Sequence, residues 1–525
     1  MGYRVLALVR GAGLALTALA LLAFLGYFVV YSYYAYTLFR FPYDYDQGEG
    51  FELYDSVLFS QGEWPYRDNA VYPFYASNYP PVFHLMVVPL VWAFGPQLWT
   101  GRVVSFAATL VTAALIAYAV RRETRLWAIP VLSGLAFLAS NYVYPIGPLF
   151  RSHMTMVLFE TAAVLILNRV DDPRYGRRNL LAGLMLLLTA GYTKPQAVVT
   201  VIAAFLFLFL RGPRRALVAG VAFAAVTGLI FWAVDRATAG QWTVNVIQAN
   251  VNAYDAHQAA ELYFQWFRLH AVLILLAAGY VIYELFWSRL SAYSLWFVLA
   301  TVGGVLSGKW GASAAYFTTS VAAMCLVSGL AAGKLAIVSR PSPAVKYPGA
   351  VPIASYAALA LTLLVPLLYL HQAARVFHMP TRPEPFTTMA RLLGQPTDVA
   401  YLDALGFPAL GRPPTEEDSA AGRRIAAYVA AAPGPALSEE AGFPLSVGKP
   451  VVTNPTQLLN LDKNGLLDKT QLLTAINAQR FGVVVLRAQF YPQDVLDAIG
   501  QAYELVEEIR MNGFTYRILK PRSRL

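Results

Sequence analysis

Long apolar runs recur along the chain and set its overall pattern. Between Val5 and Leu370, runs of about 15 to 22 residues alternate with short loops rich in Arg, Pro and Gly. A helix of about 20 apolar residues crosses the hydrocarbon core of a bilayer, so the pattern predicts an α-helical polytopic membrane protein with about eleven spans. The predicted spans lie near 11–31, 101–120, 126–144, 153–169, 180–192, 195–210, 216–234, 270–287, 292–307, 316–333 and 350–371.

The basic residues between the runs predict the direction of each span. Positive charge is enriched in cytoplasmic loops. The segment Pro81 to Gly95 would break the alternation if it crossed the membrane, but it is short and contains Pro89. We therefore expect it to be an interfacial helix, which gives a plasma-membrane protein with a cytoplasmic N-terminus and an outer C-terminal domain. The clusters predicted to be cytoplasmic are Arg4/Arg10, Arg121/Arg122/Arg125, Arg174/Arg177/Arg178, Arg211/Arg214/Arg215, Arg289 and Lys334/Arg340/Lys346.

The first outer loop, residues 32–100, contains a second predicted interfacial helix. In Phe51 to Ser60 (FELYDSVLFS) the apolar residues recur at helical spacing, with Glu52 and Asp55 opposite them. This pattern is typical of an amphipathic helix that lies flat on a membrane and turns its polar face away from it. We expect the two flat helices to cover a cavity that opens outward.

Composition changes after Leu370, where charged residues, Pro and Gly become frequent. We therefore predict two domains: a membrane domain, 1–371, and a small α/β extracytoplasmic domain, 372–525. In the second, Thr415 begins a helix as its N-cap, RFGVVVLRAQF is a buried strand, and Asn512-Gly513 joins two strands in a hairpin. The single cysteine, Cys325, falls in a predicted span, so no disulfide can stabilise the outer domain.

Overall composition agrees with a membrane protein and argues against nucleic-acid binding. Of 525 residues, 57% are hydrophobic and 13% are charged, the mean hydropathy is +0.49, and the net charge is +10. Soluble domains carry about 25% charged residues. The basic residues lie in short clusters between apolar runs rather than on one basic surface, so we expect no nucleic-acid partner.

An acidic cluster, Asp44, Asp46 and Glu49, opens the outer loop and carries the sharpest chemical signal. In extended backbone, Asp44 and Asp46 point to one side, and carboxylates at a partly desolvated interface suit a general base. The same pair suits a divalent cation such as Mg²⁺ or Mn²⁺, or can be a solvated acidic surface. The sequence has no nucleotide-binding loop, and an enzyme facing outward has no pool of soluble nucleotides. A transferase there would therefore take its donor from the membrane.

Basic residues at the predicted outer ends of spans supply possible ligands for a lipid phosphate. They are Arg151 and His153 in GPLFRSHM, Lys194 in GYTKPQ and Lys309 in SGKWGA. Each could instead be an interfacial residue whose charged end reaches toward water. Lys194 is the strongest candidate, because Pro195 frees backbone groups there, as happens mainly where a chain lines a cavity.

Several motifs together resemble the GT-C superfamily of glycosyltransferases that use polyprenyl-phosphate sugars. These are the acids after the first span, the stretch SQGEWPYRD after the flat helix, and YPPVFHLMVVPLVWAFGPQLWTGRVVSF. The resemblance covers the membrane portion, is strongest from Asp44 to Arg102, and extends to protein mannosyltransferases and lipid A aminoarabinose transferases, although bacterial relatives fit better than either. Two departures are Gln47, where many relatives have Glu, and Tyr79, where some have a basic residue.

The resemblance implies a reaction and a set of roles. A sugar would pass from a polyprenyl-phosphate donor to an acceptor hydroxyl on a glycan, lipid or protein, with inversion at the anomeric carbon. Asp46, or its neighbours Asp44 and Glu49, would be the base, and Lys194, Arg151 and His153 would bind the donor phosphate. Tyr72, Tyr75 and Tyr79 would contact sugar faces, although anchoring at the interface is a commoner role for such tyrosines.

A transporter or lipid flippase is the alternative from another class. Glu160 falls near the middle of a predicted span, where an ionisable group is costly and suggests a function. A protonated Glu160 bonded to Thr or Ser on a neighbouring helix would explain it equally well. The sequence shows no internal repeat with matched broken helices, which argues against transport.

Overall fold

The computed structural model describes residues 3–338, 353–376, 388, 391–392 and 411–523. Over this part of the chain, a large helical bundle is followed by a small α/β unit. Each of the eleven predicted spans coincides with a helix, although residues 350–352 of the last one lie outside the described residues. The bundle and loop helices are α1 (Tyr3–Arg40), α2 (Glu49–Ser60), α3 (Val82–Phe94), α4 (Leu98–Thr124), α5 (Ala128–Ala139), α6 (His153–Leu167), α7 (Gly176–Thr193), α8 (Val198–Arg211), α9 (Pro213–Ala237), α10 (Ala256–Trp287), α11 (Ala292–Gly303), α12 (Thr318–Val338) and α13 (Ile353–Val376).

Length and apolar composition confirm that the chain is a multi-pass membrane protein. Within the described ranges, six helical segments are long and apolar enough to cross a bilayer. Several other predicted spans are shorter apolar helices, such as α5 and α6. The six long segments are Ala7–Arg40, Leu98–Thr124, Pro213–Ala237, Ala256–Trp287, Ala314–Val338 and Ala358–Val376.

Helix α12 lies at the centre of the bundle. It packs against α4, α5, α6, α10 and α11, and its residues from Thr318 to Gly333 are all buried. This stretch is rich in Ala, Gly, Ser and Thr, and small residues let neighbouring membrane helices approach closely. In contrast, α9 is largely exposed on the outside of the bundle, where an apolar surface suits contact with lipid.

The two helices predicted in the outer loop are present, and they pack on each other. Helix α3 fits the prediction for Pro81 to Gly95. Helix α2 differs from its prediction in one respect, because Glu52 and Asp55 are buried and do not form a polar surface turned to water. The expected exposure of those two acids was wrong, since α3 covers one side of α2 and the C-terminal unit contacts another.

The C-terminal unit contains a four-stranded sheet, and its predicted elements are confirmed. Strand order is β1-β2-β4-β3, with β1 parallel to β2 and the other pairs antiparallel. Thr415 and Asp418 form a capping box, and Asn512 and Gly513 both have positive φ, as a tight hairpin turn requires. The elements are α14 (Glu416–Ala431), β1 (Ala436–Ser438), α15 (Gly442–Ser446), α16 (Pro455–Lys463), α17 (Thr470–Asn477), β2 (Val483–Leu486), α18 (Gln493–Ala502), β3 (Tyr503–Met511) and β4 (Phe514–Pro521).

The predicted domain boundary at 371/372 falls within α13, which continues to Val376. Most of the connection between α13 and α14 lies outside the described residues.

Candidate active site

A cavity of about 300 Å³ lies between the loop that follows α1, the neighbouring ends of bundle helices and the C-terminal unit. Its wall includes acids, bases and aromatic rings from parts of the chain that are far apart in sequence. The principal lining residues are Asp46, Gln47, Glu52, Asp55, Asn78, Tyr79, Arg151, His153, Lys194, Trp310, Tyr316, Asn454 and Phe490. The cavity therefore brings predicted phosphate ligands to the same place as part of the acidic cluster.

A larger cavity of about 550 Å³ lies elsewhere, among α1, α5, α12 and α13. Arg10 is its one ionisable lining residue, and most of the others are apolar. The smaller cavity is the candidate active site, because its described lining combines several acids with several bases.

Glu49 lies beneath the cavity and holds the loop in shape. Its carboxylate pairs with Arg102, with Nε at 2.9 Å from Oε1 and Nη2 at 2.7 Å from Oε2, and both side chains are fully buried. It also accepts hydrogen bonds from the backbone of Tyr45 and Phe150. Burial alone would raise the pKa of Glu49, but the Arg102 guanidinium outweighs it and lowers that pKa. Glu49 does not line the cavity.

Asp44 joins the outer loop to the C-terminal unit. Its carboxylate accepts from the backbone N of Gly50 at 2.6 Å and of Gly442 at 2.9 Å. A Cβ atom on Gly50 would lie 2.4 Å from the Gly442 nitrogen, so this contact needs a residue without a side chain. Burial, followed by the charge of Glu49, raises the pKa of Asp44 to about 6. Like Glu49, Asp44 lies outside the cavity lining.

Asp46 is the one member of the predicted cluster that lines the cavity. It pairs with Arg151, whose Nε and Nη2 lie 2.8 Å and 2.6 Å from Asp46 Oδ2. Arg151 also donates to the Gln47 carbonyl, and its Nη1 lies 3.8 Å from Glu52 Oε1. The two predicted residues are therefore in direct contact, and the guanidinium lies between two carboxylates.

Glu52, Asp55 and His84 form a buried group that the sequence interpretation did not assign to the site. His84 Nε2 lies 2.7 Å from Glu52 Oε2 and 3.6 Å from Asp55 Oδ2. Asp55 accepts from Tyr75 Oη at 2.7 Å and from the Ser77 hydroxyl. The three-residue spacing of Glu52 and Asp55, together with a histidine in the otherwise apolar α3, was the available signal.

Burial and charge oppose each other in this group. Burial raises the pKa of Asp55 to about 6, although His84 and the two hydroxyl donors act in the other direction. Burial lowers the pKa of His84, but the Glu52 hydrogen bond and the Asp55 charge outweigh it, so that pKa is raised. His84 therefore favours the imidazolium form between two acids.

The predicted cations Lys194 and His153 reach the cavity wall. Lys194 ends α7, is buried, and has its Nζ 4.8 Å from the centre of the Tyr79 ring. Among the described residues, it has no carboxylate partner, and His153 Nε2 has no hydrogen-bond partner. Both groups can therefore interact with an anion in the cavity. Lys309, in contrast, donates to the Asn250 carbonyl at 3.0 Å and is not a lining residue.

The three predicted tyrosines occupy different places. Tyr79 lines the cavity, Tyr75 is buried behind it with its hydroxyl on Asp55, and Tyr72 is 54% exposed. Tyr79 is thus the one of the three whose ring faces the cavity.

The acids do not fit a resident divalent cation. Both Asp44 oxygens already accept backbone hydrogen bonds, and the Arg151 guanidinium lies between Asp46 and Glu52. Among the described residues, no group of three or more His, Cys, Asp or Glu side chains is placed to hold a metal ion.

Glu160, the residue behind the transporter alternative, lies within the bundle and is fully bonded. Its two oxygens accept from Thr200 Oγ1 and Thr319 Oγ1, each at 2.6 Å. Trp296 Nε1 in turn donates to Thr200. The carboxyl group thus links α6, α8 and α12, which is the structural explanation that the sequence left open.

The C-terminal unit forms part of the cavity wall. Asn454 and Phe490 line it, and the Phe490 ring packs edge-on against Trp310 with centroids 6.2 Å apart. Glu439 accepts hydrogen bonds from four consecutive backbone N–H groups, those of residues 487–490, and so fixes the loop that carries Phe490. The C-terminal unit therefore helps to shape the site.

Comparison with known proteins identifies the fold. No family model matches the sequence, and a search of curated proteins finds no match. Among solved structures, ArnT from Cupriavidus metallidurans aligns in its apo state with a TM-score of 0.57 and 15% identity, over 94% of this chain and 98% of that one. The same protein bound to undecaprenyl phosphate aligns with a TM-score of 0.55 and 16% identity, with the same coverage.

A second protein gives the same result. The oligosaccharyltransferase of Archaeoglobus fulgidus, tethered to an acceptor peptide, aligns with a TM-score of 0.56 and 12% identity, over 96% of this chain and 74% of that one. Both neighbours are GT-C glycosyltransferases. The chain therefore has the fold of the GT-C membrane glycosyltransferases, as its sequence motifs predicted.

Proposed function

We propose that this protein is a glycosyltransferase that moves a sugar from a polyprenyl-phosphate donor to an acceptor hydroxyl at the outer face of the plasma membrane. The observation that carries the proposal is the cavity of a protein with the GT-C fold, where Arg151 pairs with Asp46 and Glu52 and where Lys194 lines the same wall. ArnT, one neighbour with this fold, has been crystallised with undecaprenyl phosphate.

The charges match the needs of such a reaction. A polyprenyl phosphate is already an anion and a good leaving group, so it requires a cation rather than a proton donor. Arg151 and Lys194 supply positive charge for the phosphate, and His153 adds an unpartnered ring nitrogen. A cavity carboxylate takes the proton of the acceptor hydroxyl, for which Asp46, the sequence candidate, and Glu52 are in position. Attack opposite the phosphate inverts the anomeric carbon.

The proposed orientation follows from the distribution of basic residues. With Arg121 and Arg122 at the cytoplasmic end of α4, the cavity and the C-terminal unit lie outside. A donor carried by the membrane can then reach the cavity without entering water. The acceptor is a glycan, lipid or protein that approaches from outside.

Sugar transfer by purified protein in lipid tests the proposal. Wild type, Asp46→Asn and Asp44→Asn would be compared over a panel of polyprenyl-phosphate sugars, with water as an additional acceptor. We expect wild type to bind undecaprenyl phosphate and to release or transfer at least one sugar. Two results together would favour the transporter. Wild-type protein would bind no polyprenyl phosphate, and it would move a lipid or solute in vesicles in a way that Glu160→Gln abolishes.

A further inference from the structure

Glu52 combines two features that no other acid of the cavity has. Its side chain is 2% exposed, and its Oε1 has no hydrogen-bond partner among the described residues. A buried carboxylate oxygen without a partner destabilises the folded state, so it requires an explanation. Because Glu52 lines the cavity, an acceptor hydroxyl could supply the missing hydrogen bond.

The other oxygen of Glu52 is held from behind. His84 Nε2 lies 2.7 Å from Oε2, and His84 in turn is 3.6 Å from Asp55, whose oxygens accept from Tyr75 and Ser77. This arrangement holds Oε2 of Glu52 and leaves Oε1 without a hydrogen bond, in a residue that lines the cavity. In many active sites the residue that accepts a proton is oriented by a second residue, which a third residue holds in place. Glu52, His84 and Asp55 lie in this order.

Asp46 has different surroundings. Arg151 contacts its Oδ2 through both Nε and Nη2, at 2.8 Å and 2.6 Å. A proton added to Asp46 Oδ2 would displace these short contacts, whereas the closest charged partner of Glu52, His84, contacts its other oxygen, so a proton added to Oε1 would break no hydrogen bond. The nearest cation to Oε1 is Arg151 Nη1, at 3.8 Å. Asp46 is therefore better placed to orient Arg151 toward the phosphate than to accept a proton.

We propose that Glu52, positioned by His84, accepts the proton of the acceptor hydroxyl, while Asp46 positions Arg151. This inference rests on the proposed function and names the residue that performs its proton transfer.

The acceptor oxygen forms a bond to the anomeric carbon as the bond from that carbon to the donor phosphate breaks. The acceptor proton passes to Glu52 Oε1, and the electron pair of the broken bond leaves with the polyprenyl phosphate. The phosphate gains one negative charge, which Arg151 and Lys194 stabilise, and Glu52 later releases its proton to water.

Isosteric variants separate the two acids. Glu52→Gln, Asp46→Asn and a matched control, Glu63→Gln, would be purified in lipid. Glu63 is in the same loop, but it is exposed and pairs with Arg67. Each variant would be tested for binding of undecaprenyl phosphate and for sugar release from the donor that wild type accepts.

We expect Glu52→Gln to bind undecaprenyl phosphate within about threefold of wild type and to lose about 10²- to 10⁴-fold in kcat, the usual range for a general base. Asp46→Asn should mainly weaken donor binding, and Glu63→Gln should match wild type. Added formate should restore part of the turnover of Glu52→Ala, because it supplies a carboxylate in the vacated space. His84→Gln, which can still donate to Glu52, should retain more turnover than His84→Leu.

Two results would overturn the inference, and they differ from failure of the proposed function. If Glu52→Gln turns over within a few-fold of wild type, Glu52 is not the proton acceptor. If Asp46→Asn binds donor normally but loses turnover while formate fails to rescue Glu52→Ala, Asp46 is the base. Wild-type protein that binds no polyprenyl phosphate would overturn the proposed function itself, together with the inference.

Discussion

Asp44, Glu49 and Glu52 are buried carboxylates within nine residues of one another, yet their surroundings differ. Asp44 accepts hydrogen bonds from two backbone N–H groups, and Glu49 accepts from Arg102 and three backbone groups. Glu52 lines the cavity, and one of its oxygens has no hydrogen-bond partner within the described part of the chain. All three are acids in one short segment. The number of hydrogen-bond partners therefore separates acids that hold the fold from acids available for chemistry.

The same comparison applies to the cations. Arg102 is enclosed by Glu49 and by the carbonyls of Leu38, Phe41 and Tyr43. Lys194 is buried too, but it faces aromatic rings and has no carboxylate partner in the described part of the chain. An unpaired buried amine is costly for stability, which is consistent with a role that requires an anionic ligand.

The largest effect on stability should come from the enclosed pair. Glu49→Gln leaves the Arg102 guanidinium buried without its counter-charge, and breaking a buried pair in this way costs about 3–5 kcal/mol. We expect a clearly lower thermal unfolding midpoint in detergent. Glu508→Gln is the control, because Glu508 and Arg517 form an exposed pair, whose loss should cost no more than about 1 kcal/mol. If Glu49→Gln unfolds at the same temperature as wild type, acids with hydrogen-bond partners on both oxygens are not structural in this protein.

Lys194→Met should show the opposite behaviour. It removes a charge from the cavity without breaking a hydrogen bond, so the unfolding midpoint should stay the same or rise. Loss of a charged contact with phosphate, worth about 1.5–3 kcal/mol, should weaken undecaprenyl phosphate binding roughly 10- to 150-fold. Lys520→Met, on an exposed position of β4, should leave binding unchanged. A lower midpoint with unchanged binding would instead make Lys194 a structural residue.

Asp44 should give the chain a stability that depends on pH. Its pKa is raised from 3.8 to about 6, so the folded state holds this proton more tightly than the unfolded state. The contribution of Asp44 to the free energy of unfolding is fully present below about pH 4 and is lost as the pH rises through about 6. It is no larger than about 3 kcal/mol. Wild type should therefore lose stability relative to Asp44→Asn over this range. The exposed control Asp497→Asn should follow wild type, and an opposite slope would contradict the assignment.

Local patterns made most of the fold predictable. The apolar runs predicted the bundle helices, Thr415 predicted the start of α14, and Asn512-Gly513 predicted the hairpin, because each signal acts over a few residues. The loop helices were also found from local spacing. What spacing could not show is which partner covers a polar side chain, so the buried acids Glu52 and Asp55 were assigned to a surface.

The site was predictable only in part, because its contacts join distant positions. Asp46 meets Arg151 across 105 positions, and Asp44 meets Gly442 across 398. Sequence reasoning named the acids and cations, yet it could not tell that Asp44 and Glu49 would turn away from the cavity. That distinction depends on Arg102 and on the C-terminal unit, neither of which has a local signal.

The substitution Glu160→Gln should have the smallest effect on stability and sugar transfer. It tests, inside the helical bundle, whether an acid with hydrogen-bond partners on both oxygens is structural. Both oxygens of Glu160 accept a hydrogen bond, from Thr200 and Thr319, so we expect its role to be structural. Glu160→Gln can keep both contacts, since its amide accepts from one hydroxyl and donates to the other. Stability should change by less than about 1 kcal/mol, and sugar transfer should stay within about threefold of wild type. Glu160→Leu should destabilise more, because it leaves two buried hydroxyls without their acceptor. If Glu160→Gln abolished sugar transfer but left the thermal unfolding midpoint unchanged, the number of hydrogen-bond partners would not separate structural from functional acids in this protein.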